Sequence, residues 1–330
     1  MMLQNHWYAA CRSRDLGPAP LARTICGQPL ALFRGPGGMP AAVRDFCSHR
    51  RAPLSMGQVV DGELRCPYHG LRFNAHGQCV HIPTQHSIPA AANIPHWPVT
   101  ERYGFVWVWI GDHARAEPAL APPLPWREEP GWDTEIIQYF PVRAAWMLMS
   151  DNLLDLSHVA FIHANTIGFD PKALEHDPLV TENDGGVIRN TRVFPNVKPP
   201  LVHMAWHKWP GTVTRTSISE WRPPGYVTIL VRNEDAQHKL DLRIDHFMTP
   251  ETATTHHYFV AIARNFKVGN TEFGARLDQG NERVHREDIV MVEAQQRVID
   301  ATPGHHDMLL AQDGALRAAH RLLQRLAEDR

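Results

Sequence analysis

The chain has 330 residues, of which 43% are hydrophobic and 21% charged, and its formal net charge is −2. This length suits two globular domains, and the near-zero charge excludes the broad basic surface with which proteins bind nucleic acid. No stretch approaches the ~18 apolar residues of a membrane-spanning helix, and the first residues lack a secretory pattern. We therefore expect a cytoplasmic protein with neither a membrane nor a nucleic-acid partner.

Residues 1–115 are predicted to form a small all-β domain. Two hydrophobic runs, 30–33 and 41–44, flank a Pro-Gly-Gly turn and predict a hairpin. A run at 103–110 is rich in β-branched and aromatic residues and predicts a further strand. Four prolines follow closely, which predicts a linker over 116–126.

Two short clamps inside this domain each combine a cysteine with a histidine. Cys47 and His49 lie in Cys-Ser-His, and Cys66 and His69 lie in Cys-Pro-Tyr-His. Two thiolates and two imidazoles are the ligands of a Rieske two-iron, two-sulfur cluster, in which cysteines hold one iron and histidines the other. The clamps therefore predict an electron-transfer centre.

The same four ligands would also suit a tetrahedral zinc site. Zinc fingers pair cysteine with cysteine and histidine with histidine, whereas each clamp here holds one of each, so the iron–sulfur cluster is favoured. The other cysteines, Cys11, Cys26 and Cys79, fit small buried apolar positions. An odd count of five without a secretory signal argues against a disulfide framework.

Residues 127–330 are predicted to mix helices with strands. The last helix carries an apolar stripe, as expected of a helix that docks on a domain. The predicted helices are 146–162, 281–300 and 314–328, and the clearest predicted strands are 227–231 and 258–262.

Polar residues around the helix predicted at 146–162 indicate a second metal site. Asp151, Asp155 and His158 are spaced i, i+4 and i+7, which places them on one helical face. His163 follows five residues after His158, about 140° further around a helix. Both imidazoles can reach one metal only if the helix ends or bulges between them.

Two histidines and a carboxylate form the ligand set of ferrous oxygenases. Asp288 lies within an apolar stripe of the helix 281–300, where a carboxylate is costly unless it is paired or bound to metal. The stripe is formed by Val284, Met291, Val292 and Ile299, together with Asp288 and Gln295. Glu287 is the rival, but it lies nearer Arg283 and the polar side. The sequence favours Asp288 as the third ligand, and Asp151 is assigned a structural role.

These motifs resemble the oxygenase components of Rieske non-heme iron oxygenases, in particular the vanillate O-demethylase, dicamba O-demethylase and toluenesulfonate monooxygenase group. The resemblance runs from Asn-His-Trp-Tyr-Ala-Ala at 5–10 through both clamps to the C-terminal helix. It implies an α+β chain with an N-terminal all-β Rieske [2Fe-2S] domain and a C-terminal helix-grip (START-like) catalytic domain of antiparallel sheet and helices. It also implies a homotrimer.

The resemblance further implies the terminal oxygenase of a multicomponent monooxygenase. A separate NAD(P)H-dependent flavin/ferredoxin-type reductase would supply the [2Fe-2S] cluster with electrons for a mononuclear Fe(II), with O2 as co-substrate. The chain has no dinucleotide fingerprint of its own. Asp155 matches the family's catalytic aspartate, which would bridge His69 of a neighbouring subunit to His158.

Chain length and local motifs favour hydroxylation or O-demethylation of a small aromatic substrate, an aromatic carboxylic acid by resemblance. His246 matches a family position that lines the substrate pocket. Arg215, Arg232 and Arg264 lie in predicted strands and are less specific candidates for holding a carboxylate.

Three alternatives remain open at this stage. One is the alpha subunit of an aromatic-ring dihydroxylating dioxygenase. Another is a Rieske electron carrier without oxygenase activity, against which the second ligand set argues. The third is a non-enzymatic module, since helix-grip folds elsewhere hold apolar ligands without catalysis.

Overall fold

The computed structural model describes residues 2–175 and 180–328. The described residues form two compact units, and the chain passes from the first to the second after Pro123. This position lies inside the segment 116–126 that was predicted as a linker. The predicted domain limits themselves remain predictions. None of the helices in the described part of the chain has the length and hydropathy needed to cross a bilayer. The units are the residues up to Pro123 with Thr249–Ala253, and Leu124–Met248 with the residues from Thr254 onward.

The first unit is built from short antiparallel strands in three sheets, ordered β1-β11-β10, β2-β3-β4-β9 and β5-β6-β7-β8. The predicted hairpin is β3–β4 and the predicted aromatic strand is β11. The strands are β1 His6–Arg12, β2 Leu21–Ile25, β3 Gln28–Arg34, β4 Pro40–Arg44, β5 Gln58–Val60, β6 Glu63–Arg65, β7 Arg72–Phe73, β8 Cys79–His81, β9 His96–Trp97, β10 Val99–Arg102 and β11 Phe105–Ile110.

The cysteines of both clamps belong to the hydrophobic core beneath β5–β8. Cys47 and Cys66 are buried in one cluster with Leu64 and Phe73, neither of which is accessible to solvent. Apolar packing of this density resists displacement of any one side chain. The core therefore fixes where the two thiols lie.

The second unit is a seven-stranded sheet, ordered β12-β18-β17-β16-β15-β14-β13, with four helices. This architecture confirms the α+β prediction. The strands are β12 Asp133–Val142, β13 Val180–Asp184, β14 Val187–Val197, β15 Val213–Arg222, β16 Tyr226–Glu234, β17 Lys239–Pro250 and β18 His256–Arg264. The helices are α1 Trp146–Leu154, α2 Leu201–Met204, α3 Thr271–Ala301 and α4 Gly314–Glu328.

The helix predicted over 146–162 is wrong in its length, because α1 ends at Leu154. Asp155 stops it: its φ of −88° and ψ of 97° leave the helical region, and its carboxylate accepts a hydrogen bond from the Ser157 N–H at 2.8 Å. An aspartate that bonds to the backbone two residues ahead offers the chain an alternative to the helix. Asp151, Asp155 and His158 therefore do not share a helical face.

The long helix α3 contains the predicted segment 281–300, and its buried face is partly polar. His285 Nδ1 lies 2.9 Å from Gln138 Oε1 on β12, and Gln296 accepts a hydrogen bond from the Ala145 N–H at the start of α1. Buried polar groups are retained where they find such partners. These bonds fix α3 against both β12 and α1, and so fix the position of Asp288 between them.

The helix α4 is held to α1 by a hydrogen bond of 2.8 Å between His320 Nε2 and Asp151 Oδ1. The Asp151 carboxylate raises the pKa of His320. Burial raises the pKa of Asp151 although His320 opposes that rise. Both shifts mean that the folded state binds protons more tightly than the unfolded chain does.

We predict that this pair makes the protein less stable in mild alkali. The His320 contribution is complete below the unfolded histidine pKa of about 6.5 and is lost as the pH rises through the higher folded value. The melting temperature of wild type should therefore exceed that of His320→Gln by a larger margin at pH 6 than at pH 8, since the buried neutral histidines are common to both proteins. His306→Gln, at an exposed position, is the control, and an equal margin for His320→Gln at the two pH values would refute the assignment.

Candidate metal centres

The two clamps of the first unit adopt the same loop. Each cysteine donates its N–H to a carbonyl five residues later, from Cys47 to Ala52 at 2.9 Å and from Cys66 to Leu71 at 2.8 Å. The fourth residue after each cysteine has a left-handed φ, 57° at Arg51 and 75° at Gly70. Gly70 adopts this conformation without cost, whereas Arg51 adopts it against its preference. The repeated loop presents the two clamps in matching ways.

Within the clamps the thiols and the imidazoles form separate pairs. Burial and a hydrogen-bonded neighbour, Cys66, raise the pKa of the Cys47 thiol to about 11. The His49 and His69 rings are exposed, and their centroids lie 4.5 Å apart. A cluster in which cysteines hold one iron and histidines the other requires such a division.

A single zinc ion fits this arrangement poorly. Tetrahedral ligand atoms around one zinc lie about 3.5 to 4 Å from one another. Among the described residues, the clamps do not bring three Cys, His, Asp or Glu ligand atoms within 4.8 Å of one another. The clamps therefore suit a cluster that is larger than one ion.

The set that does converge is His158, His163 and Asp288 in the second unit. His163 Nε2 lies 3.1 Å and His158 Nε2 3.5 Å from Asp288 Oδ1, and the two rings are inclined at 70°. Asp288 is 2% exposed and His163 1% exposed. The structure thus brings together the three residues that the sequence favoured, with both imidazole Nε2 atoms facing one carboxylate. Two imidazoles and one carboxylate suit ferrous iron.

The hydrogen bonds behind the ligands hold both rings with Nε2 toward the centre. His163 Nδ1 lies 2.8 Å from Glu287 Oε2, which also accepts from the Thr166 hydroxyl at 2.8 Å. Burial lowers the pKa of His163, but the carboxylates of Asp288 and Glu287 outweigh it, so the pKa is raised overall. A metal-binding histidine whose other ring nitrogen meets a carboxylate is fixed in tautomer and orientation.

The contact between Glu287 and the His163 ring was not predicted from the sequence. Its carboxylate is not part of the group of converging ligand atoms, and its side chain does lie near Arg283, at 3.5 Å. Neighbouring residues on a helix point about 100° apart, so Glu287 reaches the outer side of the His163 ring while Asp288 reaches the inner side. The sequence feature that could have indicated this contact is the pair of adjacent carboxylates, Glu287 and Asp288, on one predicted helix.

Asp155 contacts His158 through its backbone and not its side chain. The carbonyl of Asp155 is hydrogen-bonded to His158 Nδ1, while the carboxylate accepts from the N–H and the hydroxyl of Ser157. This differs from the expectation that the carboxylate orients His158 within its own chain, because α1 ends before Asp155. The bridge to His69 of a neighbouring subunit stays a prediction.

His246 lies on β17, 1% exposed, with its Nδ1 2.7 Å from the Tyr258 hydroxyl. Its Nε2 has no hydrogen-bond partner among the described residues. Burial, followed by the neighbouring His285, lowers its pKa well below the usual value. The ring centroids of His246 and His285 are 5.5 Å apart, and His285 precedes Asp288 by about one turn. A neutral imidazole with a free nitrogen therefore lies near the candidate iron ligands.

Two of the three candidate arginines have structural partners. Arg232 forms two hydrogen bonds of 2.7 Å with Asp241, and Arg264 pairs with Asp133. Each guanidinium thereby has a carboxylate partner, although Arg264 Nε has no hydrogen-bond partner among the described residues. Arg215 differs, since no described carboxylate pairs with it.

We predict that Glu287→Gln weakens metal binding without unfolding the protein. Loss of such an outer carboxylate typically lowers metal affinity about 10- to 100-fold. Iron retained per chain after dialysis against graded chelator is the measurement. Glu282→Gln, on the exposed side of the same helix, is the control. Equal retention in the two variants would show that Glu287 does not support the site.

Comparisons with known proteins agree with both centres. Residues 6–98 match the family described as the Rieske [2Fe-2S] domain, and residues 142–329 match the vanillate O-demethylase oxygenase C-terminal domain. The chain is 35% identical to a putative toluene-4-sulfonate monooxygenase system iron-sulfur subunit of Comamonas testosteroni, covering 99% of this chain and 97% of the relative.

Two further matches extend over nearly the whole chain. A vanillate O-demethylase oxygenase subunit of a Pseudomonas species is 35% identical, covering 99% of this chain and 95% of the relative. A crystal structure of dicamba monooxygenase with non-heme iron and dicamba has a TM-score of 0.82 and 31% identity, covering 98% of this chain and 97% of that chain.

Proposed function

Because the chain belongs to the Rieske oxygenases whose C-terminal domain is of the vanillate O-demethylase type, we propose that it is the terminal oxygenase component of a multicomponent monooxygenase. It hydroxylates or O-demethylates a small aromatic acid. The observation that carries this proposal is the convergence of His158, His163 and Asp288 in a chain that also carries the Cys-His clamps.

The clamps would hold the [2Fe-2S] cluster, with Cys47 and Cys66 on one iron and His49 and His69 on the other. The thiols are buried and the imidazoles exposed, so the cluster edge that accepts and passes on electrons faces outward. His158, His163 and Asp288 would hold Fe(II). When bound, the cluster transfers single electrons and the ferrous iron activates O2.

The residues around the iron ligands control geometry and water. Asp288 and His163 are almost inaccessible to solvent, which keeps competing water away from the site. Glu287 holds His163, the Asp155 carbonyl holds His158, and Asn152 donates to Asp288 at 3.2 Å. Three protein ligands leave coordination positions open for substrate chemistry.

The electron donor is a separate reductase, as expected of an oxygenase component. We propose that it oxidises NAD(P)H, for which this chain has no fingerprint. We also propose a homotrimer, in which Asp155 joins His69 of a neighbouring subunit to His158 and shortens the electron path. Cytoplasmic location remains the prediction from sequence.

The relatives point to the substrate class. They are named for vanillate, toluene-4-sulfonate and dicamba, each an aromatic ring with an anionic group. We propose that this chain takes a similar substrate, with the free Nε2 of His246 available to its polar groups. Ring dihydroxylation is the second candidate, and the outcome at the attacked carbon distinguishes the two.

The assay that tests this function supplies a vanillate-type reductase, NADH and O2 to the iron-loaded protein. Methoxybenzoates should release formaldehyde and methylbenzoates should gain a single oxygen atom. Asp288→Ala should abolish product while leaving the absorbance of the cluster unchanged. Wild-type protein with full metal content that forms no product from methoxybenzoates, methylbenzoates or arylsulfonates would contradict the proposal.

A second test addresses the bridge between subunits. Asp155→Asn keeps the oxygen that bonds to Ser157, so the local turn survives, but it removes the charge that would accept from His69 of the neighbouring subunit, while the backbone carbonyl still meets His158. Turnover should fall about 10- to 100-fold with both metals retained. Asp184→Asn, at an exposed position, should behave like wild type. Full activity in Asp155→Asn would remove the bridge from the account.

A further inference from the structure

A cavity of about 280 Å³ in the second unit is lined by a buried cation that has no ion-pair partner among the described residues. The cation is Arg215 on β15, which is 7% exposed. Its Nε has no hydrogen-bond partner in the described chain, and no described carboxylate forms an ion pair with it. The other two sheet arginines considered above are both paired, so the state of Arg215 is not a general property of this sheet.

The groups nearest to Arg215 are aromatic or neutral. Its guanidinium lies 5.8 Å from the ring centroid of Phe169 and 5.9 Å from that of Phe194, and both rings line the cavity. His203 is buried nearby, and burial followed by Arg215 lowers its pKa to about 3, so it is uncharged. It is hydrogen-bonded to Asn233, the register neighbour of Arg215 on β16.

The remaining charged groups of the cavity do not neutralise Arg215. Asp170 is exposed, and its carboxylate accepts from the Lys172 N–H at 3.0 Å. Lys198 also lines the cavity and is exposed, so it adds positive charge at the mouth. Buried charges in proteins are normally paired, and an unpaired one marks a place where a counter-ion is missing.

The chemistry of the cavity specifies the missing ligand. A guanidinium presents a planar fork of donors that matches a carboxylate or sulfonate in two parallel hydrogen bonds. Two phenylalanine rings beside it offer faces and edges for packing a third aromatic ring. The combination suits a single-ring aromatic acid and not an inorganic anion, which would gain nothing from the phenylalanines.

The cavity wall is also bonded to the chain segment that carries His163. Gly168 lines it, and the Gly168 N–H donates to the carbonyl of His163 at 2.8 Å. A Cβ at this position would lie 2.8 Å from the same carbonyl, so the loop packs tightly against the residue that carries the ligand. One wall of the cavity is therefore continuous with the backbone that holds His163.

We infer that Arg215 binds the anionic group of the aromatic substrate, beside the packed pair of Phe169 and Phe194, and sets the selectivity of the enzyme for acids. The inference rests on the proposed function and gives its substrate site a specific anchor. Of the three candidate arginines Arg215, Arg232 and Arg264, it selects the one for which no described carboxylate forms an ion pair.

The test compares 4-methoxybenzoate with its neutral counterpart 4-methoxybenzamide, using isothermal titration calorimetry on the metal-loaded protein. Wild type should bind the acid more tightly than the amide. Arg215→Met, which keeps the length and packing of the side chain, should weaken acid binding about 10- to 100-fold and leave amide binding unchanged. The acid affinity of Arg215→Lys should lie between those of wild type and Arg215→Met, since lysine keeps the positive charge but not the planar fork of donors.

Arg222→Met is the matched control, because Arg222 lies on the same strand and pairs with Glu220 at 2.5 Å. It should bind both probes as wild type does. If Arg215→Met proves too unstable to purify, Arg215→Lys decides alone: weaker acid binding with unchanged amide binding supports the inference. Unchanged preference for the acid in either Arg215 variant overturns it.

Turnover separates this inference from the proposed function. If wild type is active, Arg215→Met should raise KM for the acid by the same factor by which it raises the dissociation constant of the acid, with little change in kcat. Lost acid binding with an unchanged KM would place the anion away from the reacting substrate and overturn the assignment. A wild type inactive on every substrate counts against the proposed function, whereas the binding comparison still decides whether Arg215 recognises aromatic acids.

Discussion

The buried carboxylate of Asp288 is the constraint around which the second unit is arranged. A carboxylate that is 2% exposed on the inner side of a helix is costly unless several donors meet it. Asn152 and the imidazoles of His158 and His163 meet it from the other side. All three come from a short stretch of chain, which is possible because α1 stops and the following residues lie against the middle of α3, at Glu287 and Asp288.

The first unit meets a comparable requirement with repetition. Two thiols and two imidazoles must face one cluster from opposite sides. The chain achieves this by using the same loop twice, each time with a left-handed residue four positions after the cysteine. Apolar packing beneath the loops fixes the thiols and leaves the histidines at the surface. The thiols are therefore held rigidly by the core, while the imidazoles remain accessible at the surface.

Much of this could be predicted from sequence, because ligand chemistry is local. The clamps are identified by residue type and spacing, and Asp288 by a carboxylate among apolar neighbours. The helix predicted over 146–162 failed because Leu-Ser-His-Val-Ala continues a helical pattern while the Asp155 side chain, through one local hydrogen bond, ends it. Half of the apolar stripe predicted on α3 also failed, since Met291 and Ile299 are exposed.

Partnerships between distant segments were beyond the sequence. Nothing local shows that Glu287 faces His163, or that Arg232 and Arg264 find carboxylates on other strands while Arg215 does not. These pairings depend on strand order and helix placement. They also determine which charged residues remain available to bind a ligand, which is why Arg215 could be proposed as a substrate anchor only from the structure.

The most direct test of the two-centre account is metal and sulfide analysis of the purified protein, combined with electron paramagnetic resonance after reduction. The account predicts about three irons and two acid-labile sulfides per chain, with a rhombic signal from the reduced cluster. Zinc in place of iron, or iron without sulfide, would contradict the assignment of the clamps. Two irons with two sulfides after saturating with Fe(II) would contradict the assignment of His158, His163 and Asp288.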